Sequence, residues 1–95
     1  MKVSEITVNE LLEYCRADAD AETERFLQAA LHAAKSYIKS RNGIDDSYMD
    51  NYDELSIAVF ALVADMYDNR SMTIGSGQEN PTVTAILKLH DMNFL

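Results

Sequence analysis

The chain has 95 residues, 47% of them hydrophobic, with one proline, three glycines and one cysteine. Sixteen acidic residues against eight basic ones leave a formal charge of −8 at pH 7, which repels phosphate backbones at long range and argues against sequence-specific DNA or RNA binding. The composition also argues against disorder, and it suits one compact, mostly helical domain over residues 1–95.

Lys2 is followed by Glu5 and Thr7 instead of an apolar run, so no signal peptide is expected. The single Cys15 has no internal partner for a disulfide, and a reducing, intracellular origin is the simplest expectation. Thr7, Val8, Asn9 and Glu10 have the spacing of a capping box, in which hydroxyl and carboxylate each satisfy a first-turn amide. Val8, Leu11, Leu12 and Cys15 then fall at i, i+3, i+4 and i+7, predicting a short amphipathic helix. Cys15 completes its apolar stripe as a small hydrophobe.

Residues 16–24 form a polar connection in which Asp18 or Asp20 can cap the next helix. The spacing Asp18, Asp20, Glu22 fails as a calcium loop, because Thr23 replaces the required glycine and Ala29 the bidentate acid. A second helix over about 21–40 buries Phe26, Leu27, Ala30, Leu31, Ala33, Ala34, Tyr37 and Ile38. Its other face carries Arg25, Gln28, His32, Lys35 and Lys39, with Arg41 at the end. This is either a solvated face or a contact for an acidic surface of another copy.

Asn42 and Gly43 end that helix, glycine taking the left-handed cap conformation without penalty. Asp45, Asp46, Asp50, Asp53 and Glu54 follow as an acidic loop interleaved with Tyr48, Met49 and Tyr52. Asp53 is the expected N-cap of the next helix, with Tyr52 as the outer half of a hydrophobic staple.

That helix, over about 54–70, is the expected centre of the fold. Leu62, Leu55, Met66, Val59, Val63, Tyr67, Phe60, Ala64 and Ile57 fill an arc of roughly 220°. Glu54, Ala58, Ala61, Asp65, Asp68 and Asn69 collect on the remaining seam, which is predicted to face water. The segment is too short and too interrupted by carboxylates to cross a membrane. Residues 71–80 hold two glycines and should be a flexible loop or a short hairpin; Gly75 and Gly77 lack the lysine and hydroxyl residue that end a phosphate loop. Asn80 and Pro81 restart a helix whose buried side is Val83, Ile86, Leu87 and His90. Met92, Phe94 and Leu95 leave apolar groups at a terminus, docked on the core or kept for a partner.

The expected fold is therefore all-α, a compact bundle of about four helices, with Leu12, Leu27, Ile38, Val59, Leu62, Val63, Met66 and Leu87 in its core. The carboxylates sit at caps and seams, so no catalytic, cofactor or metal site is expected. The residues expected at subunit contacts are the basic Arg25, Lys35 and Lys39, the acidic Asp45, Asp46, Asp50, Asp65 and Asp68, and the apolar Ile74, Phe94 and Leu95.

Two segments carry a resemblance. Tyr14, Cys15, Arg16, Ala17 and Asp18, followed by an acidic stretch and an alanine-rich helix, are similar to the opening of the small head-tail connector proteins of tailed bacteriophages. AVFALVADMYDNR at 58–70 resembles that family's apolar helix ending in Tyr-x-Asn-Arg. The resemblance implies a structural adaptor from a phage or prophage, not an enzyme. It would be made in the bacterial host cytoplasm and incorporated at the head-tail junction of the virion. Such an adaptor forms a ring, dodecameric in the virion while free subunits can be monomeric, beneath the portal protein of a DNA-filled head. It offers a platform to the stopper or tail-completion protein, and DNA slides through its lumen without sequence-specific binding. The alternative from composition is an acidic helical protein that mimics DNA or regulates a partner. It predicts carboxylates spaced like phosphates along one convex face.

Overall fold

The computed structural model describes residues 1–69 and 80–92, and the predicted loop at 71–80, with Ile74, lies almost wholly outside them, as do Arg70, Phe94 and Leu95. The described chain is an all-α bundle. A 3-10 turn at Val3–Glu5 precedes α1 (Val8–Cys15), α2 (Ala21–Asn42), α3 (Asp46–Asp50), α4 (Asp53–Asp68) and α5 (Pro81–Lys88).

Local chemistry sets most boundaries. The Thr7 hydroxyl accepts from Glu10 N at 3.2 Å while the Glu10 carboxylate accepts from Thr7 N at 3.0 Å, closing the expected capping box. Asp20, the second of the two candidates, caps α2 through Thr23 N at 2.7 Å. Gly43 ends α2 in the left-handed region at φ 68°, and Asn80 caps α5 ahead of Pro81. Arg16 ends α1 at φ 53°, a conformation that costs a side chain with a Cβ about 1–2 kcal/mol.

The acidic stretch after Gly43 is not a plain loop. Asp45 accepts from Tyr48 N at 2.8 Å and starts α3, and Met49, fully buried, anchors that helix to the core. The N-cap of α4 is Tyr52 instead of Asp53. Asp53 is already helical, and its carbonyl accepts from the Ser56 hydroxyl at 2.7 Å.

Helix α4 is central: α1, α2, α3 and α5 all pack against it. Phe26 of α2 meets Tyr67 at the far end of α4, with ring centroids 6.3 Å apart. The other end of α2, at Asn42, joins Leu87 and Met92 beside the start of α4. Helices α2 and α5 thus both run antiparallel to α4. Leu12, Leu27, Ile38, Val59, Val63 and Leu87 are buried as expected, whereas Leu62 and Met66 are only partly buried and pack on the core from its margin.

The predicted water-facing seam of α4 needs correction. Ala58 is fully buried and Ser56 nearly so, while Ile57 is 54% exposed. The cause is α5, which lies along the seam: Asn80 Nδ2 donates to Asp65 Oδ2 at 3.3 Å and His90 Nε2 sits 2.8 Å from Glu54 Oε1. Alanine between the two polar ties lets the helices approach closely. On α2, Ala33 and Tyr37 were expected inside and are exposed; Phe26 and Leu31 are partly buried.

Candidate interaction surface

Two features stand out above the core: a polar cluster that clamps the end of α5, and outward rows on α2 and α4. The cluster is built from α3, the start of α4 and the residues after α5. His90, only 5% exposed, sits between the Tyr48 hydroxyl, 2.9 Å from Nδ1, and the Glu54 carboxylate, 2.8 Å from Nε2. The Tyr52 ring packs in tilted contact with the imidazole, centroids 4.7 Å apart, and with the Tyr48 ring, centroids 4.8 Å apart. A neutral imidazole that donates from Nε2 to Glu54 and accepts at Nδ1 from Tyr48 satisfies all three groups.

A backbone hydrogen bond and then the His90 contact hold the Glu54 carboxyl below its usual value. Burial, then the neighbouring Tyr52 and Glu54, push the Tyr48 phenol up. The row therefore keeps a neutral phenol at one end and a carboxylate at the other, which suits a clamp better than an activated tyrosine nucleophile. Asn42 completes it. Fully buried, it donates from Nδ2 to the Leu87 carbonyl at 2.8 Å, accepts at Oδ1 from Arg41 at 2.9 Å, and its own carbonyl accepts from Met92 N.

The charged residues expected at subunit contacts are mostly engaged within the chain. Lys39 Nζ lies 3.2 Å from Asp46 Oδ1, and Asp45 is spent on the α3 cap. Asp50 accepts from Ser4 N at 2.9 Å. That bond lowers its carboxyl below the ordinary range, and Lys2 and Lys35 add to the effect. Asp65 holds Asn80. Asp45 and Asp46 are exposed all the same, as are Arg25 and Asp68. Burial, and secondarily the Asp68 charge, raises the Cys15 thiol above its normal value, consistent with a packing role. Ile74, Phe94 and Leu95 lie outside the described residues. Among the described residues no group of three or more His, Cys, Asp or Glu is placed to hold a metal ion, and no helix is long and apolar enough to cross a membrane.

The outward apolar surface was missed by sequence reasoning. Ile57 projects from α4 beside the half-covered Phe60, Ala61 and Ala64, and Tyr14 of α1 packs its ring 5.2 Å from Phe60 while staying more than half exposed. The signal was available in Ala58: a small residue on the seam between Glu54 and Asp65 can admit a neighbouring helix. Once α5 occupies it, Ile57 is turned outward. The His90 cluster was invisible for another reason, since His90 lies 36 residues beyond Glu54 and 42 beyond Tyr48 and meets them only through the antiparallel return of α5. Comparison with protein-family models, curated proteins and solved structures finds no match to this chain.

Proposed function

We propose that this chain is a structural head-tail connector of a tailed phage or prophage, assembling as a ring beneath the portal vertex and presenting a platform for the stopper or tail. One observation carries the reading. The two segments that resemble the connector family come together in the fold, where Tyr14 of the first packs on Phe60 of the second. Residues far apart in the chain thus form one continuous outward surface, with Ile57 exposed beside it. An acidic exterior suits a conduit through which DNA must slide, because like charge prevents the wall from gripping the polymer.

The distribution of acids weighs against the DNA-mimic alternative. Asp20 and Asp45 serve as caps, Asp46 and Glu54 pair with Lys39 and His90, and Asp50 holds the backbone of Ser4. These positions answer to local structure instead of a phosphate-like spacing along one face. The reading is tested by sedimenting the purified chain with assembled portal protein from the same genome. Co-sedimentation in a fixed ratio is expected, and a chain left wholly in the light fraction contradicts the proposal.

A further inference from the structure

Two exposed rows on different helices match each other in length, size and charge. On α4, Asp53, Ile57, Ala61, Ala64 and Asp68 follow one another at spacings of three or four residues, within an arc of about 80° at 100° per residue. Asp53, Ile57 and Asp68 are exposed and the two alanines partly so. The row lies about 140° around α4 from its buried Val59 and Val63. On α2, Arg25, Ala29, Ala33 and Tyr37 recur every fourth residue, and all four are exposed. Arg25, Ala29 and Ala33 lie on the side away from the buried Leu27, Ala34 and Ile38, and Tyr37 stands at its edge, about 60° from Ala34.

We propose that these rows are the two halves of one contact between copies, the outer face of α2 on one subunit lying against the open face of α4 on the next. This inference rests on the ring reading above. Phe26 beside Tyr67 puts Arg25 and Asp68 at the same end of the bundle. A closed ring whose axis runs along the helices repeats each level at constant height. Arg25 then meets the neighbour's Asp68, Ala29 and Ala33 meet its Ala64 and Ala61, and Tyr37 covers its Ile57.

The lengths agree. Arg25 to Tyr37 spans about 18 Å and Asp68 to Ile57 about 16.5 Å at the α-helical rise. Small residues on both sides permit close approach, and a contact that runs the length of both rows needs the small crossing angle of about 20° that rows spaced by three and by four give when they interlock. The sign pattern favours this pairing: acid opposes base, whereas two α4 faces would set Asp53 and Asp68 against like charge. The loop acids Asp45, Asp46 and Asp50 are weaker candidates because each already spends one carboxylate oxygen within the chain, on Tyr48 N, Lys39 and Ser4 N. The two faces differ, so the contact is heterologous and propagates until it closes.

Disulfide trapping tests it in a Cys15→Ser background. A mixture of Ala33→Cys and Ala61→Cys chains should form mixed dimers about tenfold faster than either chain cross-links alone, because docking raises the local thiol concentration. A chain carrying both substitutions should ladder into multimers. Ala29→Cys with Ala64→Cys is a second pair with the same expectation. Homodimers forming as fast as mixed ones for both pairs would overturn the contact. So would closed rings of the parent chain on the portal in which neither pair cross-links, an outcome that leaves the ring reading standing. Efficient mixed cross-linking that yields only open chains would support the contact and remove the ring reading.

Discussion

His90 Nε2 lies 2.8 Å from Glu54 Oε1, joining the residues that follow α5 to the first turn of α4. Together with the Asn80 to Asp65 bond at the other end, it ties α5 along the row of α4 that carries Ala58. That docking buries Ala58 and leaves Ile57 to solvent.

The Glu54 carboxyl has a folded pKa below its ordinary value of 4.5, chiefly through a backbone hydrogen bond and then His90. Its contribution to stability is therefore fully present above 4.5 and is lost as pH falls through the lower folded value. Melting temperature measured against pH should fall less steeply below pH 4.5 in Glu54→Gln than in the parent. Parallel acid limbs in the two proteins would show that the carboxylate contributes nothing of this kind.

Asn42→Ala removes one of the two donors to the Leu87 carbonyl, which keeps His90 N at 3.1 Å, and should destabilise the chain by about 0.5–1.5 kcal/mol. Urea denaturation measures this. A loss below about 0.5 kcal/mol, typical of surface substitutions, would mean that the end of α5 is not clamped there.

Core substitutions should follow the observed burial instead of apolar character alone. Leu55, fully buried, should cost about 2–5 kcal/mol on truncation to Ala. Leu62→Ala should cost less, because Leu62 is only partly buried. Equal losses in chemical denaturation would place Leu62 as deep as Leu55 and contradict the packing described.

Adjacent positions on α4 should respond oppositely. Ala58→Leu forces bulk into the buried line beneath α5 and should cost about 1–3 kcal/mol, whereas Ile57→Gln should stay within about 0.5 kcal/mol of the parent. Thermal denaturation of the two variants reads the difference, and a reversed order would restore the seam as the wet side.

The helical class, the Thr7 box, the Asp20 and Asn80 caps and the Gly43 stop were legible because each depends on a few neighbouring residues whose chemistry is local. Most of the core was legible from helical periodicity. What failed was the rotation of α4, since an almost wholly apolar helix has little amphipathic contrast and a polar seam can face a neighbouring helix as well as water. Helix α3 was hidden because the same aspartates that mark a loop also cap a short helix. Of the candidate contact residues, Arg25, Asp45, Asp46 and Asp68 are exposed, Asp45 and Asp46 with a partner inside the chain. The partners of Lys39, Asp46, Asp50 and Asp65 depend on tertiary placement that no local pattern encodes.

The central claim is that this chain is a ring-forming adaptor of the portal vertex, and electron microscopy of assembled portal mixed with the purified chain tests it most directly. The account predicts an added ring layer on one end of the portal, with the portal's own rotational symmetry. Portal particles indistinguishable from those without the chain, at saturating concentrations of well-folded protein, would contradict it.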